Sequence, residues 1–242
     1  MQIPIKVVSL KRSTTRREEF VRNNPGLAYA FFDAVDGKTL IPAILEDPKL
    51  FVQPLRFPSL GAYGCALSHL RLWEQAIDSN EPLTIAEDDA VFRRDFPAAS
   101  AALIEKLPPD WDLVMWGWNF DSILSVLPLR GISPAVMVFN QDDLRAGMNE
   151  FRDLVHPAYP LELHRCFGTV AYTISPGGAR KFKEHCFPMK QFDLYFPLLP
   201  QKVPNTGVDI AMNRVYPDTR SFAAFPPLVA TPNDTAASTV QR

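Results

Sequence analysis

Glu87-Asp88-Asp89 comes directly after Leu83-Thr84-Ile85-Ala86 and directly before Ala90-Val91-Phe92. A buried strand that ends in three carboxylates sets like charges side by side, which is unfavourable unless something positive sits among them. A hard divalent cation meets that need, because it prefers carboxylate oxygens and keeps water or substrate phosphate in its other positions. In an extended chain Glu87 and Asp89 point one way and Asp88 the other, so Glu87 and Asp89 are the expected pair of ligands. The plainer alternative is a solvated acidic turn after a strand. Two further groups could serve phosphate or sugar chemistry. Lys11-Arg12-Ser13-Thr14-Thr15-Arg16-Arg17 is a basic turn suited to phosphates or a nucleoside, or else a solvated helix start. Ser68-His69 stands one helical turn after Gly64-Cys65, and a lone helical histidine is either a catalyst or a hydrogen-bonded structural residue.

These groups need elements to hold them. Residues 3–10 read as a strand, expected to be central, with Pro4 near its start. The basic turn leaves its carboxyl end, where open α/β sheets bind ligands. A short helix is expected over 17–23, a second strand over 28–32 and a turn at Asp33-Ala34-Val35-Asp36-Gly37, where glycine tolerates positive φ. Residues 41–58 read as irregular with one short helix. Leu60 to Ser79 is the clearest helix, capped by Ser59, with Ala66, Leu67, Leu70, Trp73, Ala76 and Ile77 at helical spacing. Glycine in its first turns, at Gly61 and Gly64, weakens it by about 1 kcal/mol relative to alanine, so close packing or close ligand approach is expected to compensate. Further helices are expected over 96–106, over 177–185 and from Val208, with strands over 112–117, 167–174 and 222–229. Residues 118–165 show no strong periodicity, and Asp142-Asp143 reads as a helix N-terminus or a solvated turn. Residues 187–204 carry Phe192, Tyr195, Phe196, Leu198 and Leu199 among prolines. That segment is too apolar for an idle loop and is expected to be buried, a lid or a docking surface.

The 242 residues show no internal repeat or low-complexity linker, so one domain is expected. A net charge of −2 and a pI near 6.1 leave no basic field to recruit nucleic acid. Three cysteines are too few, and odd in number, for a disulfide framework, which fits a reducing, cytoplasmic setting. Neither they nor the four scattered histidines have zinc-ligand spacing. No apolar run approaches the roughly 18 residues of a membrane span, and the first residues read as a strand and not as a signal sequence.

In order along the chain, Val8-Ser9-Leu10-Lys11-Arg12-Ser13 with Arg16-Arg17, Asp33-Ala34-Val35-Asp36-Gly37, Gly64-Cys65-Ala66-Leu67-Ser68-His69-Leu70 and Glu87-Asp88-Asp89-Ala90 resemble the motifs of glycosyltransferase family 25. That family includes bacterial lipooligosaccharide galactosyltransferases and the collagen galactosyltransferases. The stretch from Gly168 to Ala179 resembles its downstream strand-helix element, and Val208-Asp209 its late aspartate. The likeness covers most of the chain and is weak over 118–165. It implies a single-domain α/β fold of GT-A-like (Rossmann-type) form, a mixed, mostly parallel sheet flanked by helices. Residues 1–117 or so would bind the donor and the remainder would face the acceptor. The resemblance further implies a UDP-sugar donor, typically UDP-galactose, Mn²⁺ (or Mg²⁺), inversion at the anomeric carbon, and a saccharide or glycolipid acceptor such as lipooligosaccharide.

By the same carry-over, Leu10, Arg12, Ser13, Arg16, Asp36, Gly37 and Ser68 would hold the nucleoside and diphosphate, helped by Glu87 and Asp88. Asp89 and Glu87 would ligate the metal, and His69 would stand close to the donor. Inversion needs a base on the face opposite the leaving UDP. Asp209, heading the apolar run Ile210-Ala211-Met212, is expected to be desolvated enough for that role. The alternative is that Asp209 only caps its helix, which would return His69 or Glu162 to candidacy. The aromatics of 187–204 with Lys190 and Lys202 suit peripheral contact with the inner membrane, or else burial against the core. Two rival readings are a catalytically silent carbohydrate- or partner-binding member of the same fold, and another Mg- or Mn-dependent nucleotide-processing enzyme, for which no P-loop speaks.

Overall fold

Strands buried on both faces build the middle of the molecule. The computed structural model describes residues 3–196 and 202–233. The first elements are β1 (Ile5–Ser9), α1 (Thr14–Asn23), β2 (Ala30–Asp33), α2 (Pro42–Leu45), α3 (Leu60–Ser79), β3 (Leu83–Glu87) and β4 (Val91–Phe92). Then come α4 (Phe96–Ile104), β5 (Leu113–Gly117), β6 (Ile123–Leu129), β7 (Ser133–Val138), α5 (Gln141–Ala146), α6 (Met148–Asp153) and β8 (Tyr159–Cys166). The last are β9 (Ala171–Ile174), α7 (Pro176–Cys186), β10 (Asp193–Tyr195), β11 (Lys202–Pro204), α8 (Val208–Asn213), β12 (Ser221–Phe225) and β13 (Val229–Ala230).

Nine strands form one sheet in the order β2-β1-β3-β9-β5-β12-β8-β6-β7. β1 lies parallel to β2 and β3, and β12 lies parallel to β5. β9 runs antiparallel between β3 and β5, and β8, β6 and β7 continue as an antiparallel set. Six strands (β1, β2, β3, β5, β6 and β12) therefore share one direction, and the expected mixed, mostly parallel sheet flanked by helices is what forms. β1 is not central, however. It stands second from the edge, and its apolar run reflects helices on both faces rather than a place in the middle.

Alternation along the strands divides the core between those two faces. Ile85, Met115 and Tyr172 join Leu70 and Trp73 of α3 and Phe182 of α7 on one side. Val7, Ala86, Val114 and Trp116 join Phe20 of α1 and Phe96 and Leu103 of α4 on the other. Full burial of each large apolar side chain contributes about 1.5–3 kcal/mol. Polar groups in the sheet interior are paired: Thr84 Oγ1 lies 2.7 Å from Thr173 Oγ1, which also accepts from Trp116 Nε1 at 2.7 Å.

Several boundaries depart from the sequence expectation. α1 starts at Thr14, not 17, and α7 runs to Cys186. The strand expected over 167–174 is confined to Ala171–Ile174, because Gly168 turns the chain at φ +80°. Residues 118–165 hold β6, β7, α5, α6 and β8. Their pattern was blurred because β7 is an edge strand and carries apolar residues outward, Val138 at 78% exposure. Asn140 caps α5, so Asp142 and Asp143 do occupy a helix N-terminus. The strand expected over 222–229 breaks after Phe225, and β13 crosses to pair with β4. Within residues 187–204 it is the described apolar side chains other than Tyr195 and the prolines that pack inward, while the polar ones stay exposed. Leu194 and Phe196 are buried with Ile123 and Ile210, and Phe192 packs against them beneath the Arg214 guanidinium at 4.5 Å. Tyr195 alone of the three aromatics is exposed, and Leu198 and Leu199 lie outside the described residues. No described helix is long and apolar enough to cross a membrane.

α3 matches its expected span, with Ser59 Oγ accepting from Ala62 N at 3.3 Å. Its glycine at 64 answers to close packing. A Cβ there would meet Val35 O at 2.4 Å and Gly37 N at 2.7 Å, and one on Gly37 would meet Leu60 O at 1.8 Å. Backbone thus lies on backbone, and Ser68 pins the contact: its hydroxyl accepts from Val35 N at 2.9 Å and donates to Gly64 O at 2.7 Å. Alanine at a free helical position stabilises by roughly 0.5–1 kcal/mol over glycine. At position 64 the sign should reverse. We expect Gly64→Ala to destabilise by about 1–3 kcal/mol through overpacking, read as a fall in thermal midpoint; a rise would show that the 35–37 turn is not clamped to α3.

Candidate active site

Glu87 closes β3 opposite Val8 of β1. The chain then turns at Asp88-Asp89, with Ala90 N donating to Glu87 O at 3.2 Å. The alternation expected of an extended run is therefore replaced by a turn, and all three carboxylates face one cavity. Asp88, 8% exposed, is the most committed of them: Ser9 Oγ donates to its Oδ2 at 2.6 Å and Arg16 Nε to its Oδ1 at 2.7 Å. Arg16 Nη2 also reaches Asp89 Oδ2 at 3.3 Å. Arg17, rotated about 100° from Arg16 on the helix, donates instead to Ser9 O at 2.9 Å and Asp33 Oδ1 at 2.6 Å. Thr169 Oγ1 donates to Glu87 Oε1 at 2.6 Å. Burial, and after it the charge of Asp89, raises the Glu87 carboxyl above its ordinary range. Burial raises Asp89 as well, against the pull of Arg16.

The cavity, about 310 Å³, opens where β1, β2, β3 and β5 end and just before β9 begins. Leu10, Arg12, Arg16, Asp36, Gly37, Ser68, His69, Glu87, Asp88, Asp89 and Asp209 all line it. Ser13 does not; it precedes α1, with its N–H donating to Leu10 O at 2.9 Å. Glu162 is not in the lining either and pairs with Arg130 at 2.9 Å. At the rim Arg12 grips Asp36 with Nε at 2.7 Å and Nη2 at 3.2 Å, holding that carboxyl below its usual range. Ser68 has its hydroxyl committed to the backbone of Val35 and Gly64. Cys65 also lines the wall, but burial pushes its thiol well up, so it supplies no thiolate nucleophile.

Asp209 enters from the far side of the chain. It sits in the first turn of α8, whose cap position is Gly207, and its Oδ2 accepts from Gly168 N at 3.1 Å. The side chain therefore ties the Gly168 loop to the first turn of α8, where it also meets the N–H groups of Asp209 and Ile210. Burial raises its carboxyl above the ordinary value. Gly168 itself could not be replaced without moving Asn119, whose Oδ1 lies 2.4 Å from where a Cβ would stand.

Sequence reasoning missed Asn119, Thr169, Thr206, Thr231 and Asn233 in the lining. Asn119 lies two residues past β5, so the strand-end rule could have found it. Thr231 and Asn233 arrive only because β13 crosses to β4, and α5 then holds that segment: Arg145 Nε donates to Pro232 O at 2.9 Å. No local pattern announces either.

The carboxylates suit a hard cation by their chemistry. Asp89 Oδ1 is buried and accepts no hydrogen bond from another of the described residues, beside a second carboxylate whose ionised form is disfavoured by burial. Among the described residues no three His, Cys, Asp or Glu side chains form a ready cage. Mg²⁺ and Mn²⁺ are commonly held by one or two carboxylates plus substrate phosphates, not by an all-protein cage, and Glu87 and Asp89 would be those two.

A family model described as "Glycosyltransferase family 25 (LPS biosynthesis protein)" matches residues 2–195. Procollagen galactosyltransferase 2 of Mus musculus is 26% identical over 236 residues, 91% of this chain and 33% of that one. The Inactive glycosyltransferase 25 family member 3 of the same organism is 27% identical over 244 residues, 93% of this chain and 36% of that one. A Glycosyltransferase 25 family member of Aedes aegypti is 31% identical over 125 residues, 47% of this chain and 21% of that one. This chain thus spans about a third or less of the length of these relatives. A crystal structure of a glycosyltransferase involved in the glycosylation of the major capsid of PBCV-1 aligns over 98% of this chain and 96% of its own, at 11% identity and a TM-score of 0.42. The ordered motifs, which converge on one cavity, and the match along 2–195 agree: the chain belongs to glycosyltransferase family 25.

Proposed function

We propose that this protein transfers a hexose, galactose in the first instance, from a UDP-sugar to a hydroxyl of a saccharide acceptor on a cell-surface glycan such as lipooligosaccharide. The observation that carries the reading is the convergence, in one cavity, of two kinds of carboxylate. Glu87, Asp88 and Asp89 come from the end of β3, and Asp209 comes separately from α8. The relative named a procollagen galactosyltransferase and the family's lipopolysaccharide description support the sugar and the acceptor class. Three free thiols suit a cytoplasmic setting.

A nucleoside diphosphate is an anion, so carboxylates alone would repel it. A divalent cation held by Glu87 and Asp89 would supply charge neutralisation and Lewis-acid stabilisation of the leaving diphosphate. Arg12 and Lys38 add positive charge at the rim, beside Asp36 and Gly37, where the nucleoside and diphosphate would lie. Asp209 takes the proton from the acceptor hydroxyl as that oxygen bonds to the anomeric carbon and the bond to phosphate oxygen breaks. Its raised pKa suits a base, and the Gly168 N–H holds one of its oxygens in place. Release of UDP from UDP-galactose in the presence of Mn²⁺ and candidate saccharides tests the whole reading. A protein that binds sugar without turnover, in the manner suggested by the name of its inactive relative, would defeat it.

Three outcomes follow from these roles. Asp89→Ala should weaken Mn²⁺-dependent UDP binding at least about tenfold, or roughly 1.4 kcal/mol, in a calorimetric titration; an unchanged affinity would remove Asp89 as a ligand. Glu87 has its pKa raised in the folded protein above its ordinary 4.5. Its contribution to stability is therefore complete below that value and lost as pH rises through the folded one. Glu87→Gln keeps the acceptor for Thr169 and cannot ionise. With metal chelated, its melting temperature should exceed that of the parent by a margin that widens from pH 5 to pH 8, and a constant margin would contradict the assignment. Asp209→Asn can still accept from Gly168 N but cannot take a proton. Turnover should fall on the order of 10²–10⁴-fold, with UDP-sugar affinity and melting temperature nearly unchanged; near-normal turnover would leave Asp209 only its structural role at the start of α8.

A further inference from the structure

The indole N–H of Trp73 can only donate, and it donates to the Tyr172 hydroxyl at 2.8 Å. The same hydroxyl oxygen lies 2.7 Å from His69 Nδ1. A phenol has one hydrogen to give. With the indole using a lone pair, the acceptor within reach of that hydrogen among the described residues is His69 Nδ1. The opposite arrangement would have His69 Nδ1–H donate, so that the Tyr172 oxygen accepted twice and its own hydrogen found nothing. All three side chains are fully shielded, each at 0% exposure, and a stranded donor there costs about 1–3 kcal/mol. Hydrogen-bond accounting thus makes Nδ1 the acceptor. The hydrogen of the neutral ring is left on Nε2.

Nε2 is buried and has no hydrogen-bond partner among the described residues, while His69 belongs to the cavity wall. Cys65, one helical turn earlier on the same face of α3, lies within electrostatic reach of both Glu87 and Asp209. The ring is stacked on Tyr172 at 14° and 5.7 Å between centroids, which fixes its plane. Burial also lowers its pKa to about 4, so it is neutral in the working range. A base needs a free lone pair, and this nitrogen carries a hydrogen instead.

We propose that His69 is a fixed, neutral hydrogen-bond donor whose Nε2–H is offered to an oxygen of the bound nucleotide-sugar, and that Trp73 and Tyr172 are positioning residues that hold it in that tautomer. The identity of the ligand rests on the function proposed above; the tautomer does not.

Long-range ¹H–¹⁵N spectra of the full chain at neutral pH read the tautomer without any substrate. A protonated Nε2 and a bare Nδ1 are expected for His69, and the reverse overturns the proposal. Titration with UDP and then UDP-galactose, each with Mn²⁺, should shift the Nε2–H resonance. A shift with UDP alone assigns the oxygen to the nucleotide, and one seen only with UDP-galactose assigns it to the sugar. No shift with either, when calorimetry shows that they bind, overturns the donor role. If neither binds, the proposed function fails and the substrate-free spectrum still decides the tautomer. In turnover, His69→Gln places an amide N–H near the Nε2 position and should stay within about tenfold of the parent. His69→Asn, which reaches only the Nδ1 position, should lose on the order of 100-fold. Equal losses would overturn the donor role. Tyr172→Phe should give a mixture of tautomers in the same spectrum, and an unmixed Nε2–H form would remove Tyr172 as a positioning residue.

Discussion

The site depends on one electrostatic constraint: three carboxylates lie at the end of a buried strand with incomplete compensation. Arg16 answers Asp88 at 2.7 Å and reaches Asp89 at 3.3 Å, while Ser9 satisfies the other oxygen of Asp88. One guanidinium cannot balance three anions. Burial settles the remainder by disfavouring ionisation of Glu87 and Asp89, whose pKa values rise. The fold thus carries a local deficit of positive charge at the mouth of its cavity. A group of that kind is tolerated at some cost in stability, which is the usual condition of a site prepared for a charged ligand.

The rest of the architecture holds that deficit open. β1 and β3 are parallel and in register at Val8 and Glu87, so the basic turn after β1 arrives beside the acidic turn after β3. β9 is inserted antiparallel between β3 and β5. Its leading loop, Gly168-Thr169, therefore enters the same edge from the opposite direction. Thr169 meets Glu87 and the Gly168 N–H meets Asp209. A parallel strand in that place would have sent its leading loop to the other edge of the sheet. The antiparallel insertion is what allows two acidic groups, distant in the chain, to share one cavity.

Most of the polar lining has two jobs. Ser68 holds the 35–37 turn on α3, Asp36 is gripped by Arg12, and Ser9 and Arg16 are bonded to Asp88. These bonds spend the hydrogen-bonding capacity that a reader of the sequence would assign to ligand. Of the wall groups among the described residues, Asp89 Oδ1 and His69 Nε2 are left without a hydrogen-bond partner in another residue. In a buried setting such groups are costly to leave unpaired, so they, more than the residues that merely line the wall, mark where a substrate or ion would make its contacts.

Local physics made much of this legible without coordinates. The α3 span, its Ser59 cap and the buried runs of β3 and β5 follow from periodicity and capping alone, the strand-end rule pointed to the basic turn, and unpaired like charge pointed to the acidic triplet. Ordered motifs were enough to indicate the family. What stayed hidden depended on contacts between distant segments. Gly64 could be packing or ligand approach until Val35 and Gly37 were seen against it. The edge position of β7 erased the period of 118–165, and the reach of Thr231 and Asn233 into the cavity follows from β13 crossing to β4. The acid turn, the tie from Asp209 to Gly168 and the hydrogen on His69 were likewise decided by tertiary structure. Periodicity and capping are properties of neighbours in the chain, whereas hydrogen-bond partners, burial and pKa are set by whichever groups the folded chain brings within a few ångströms.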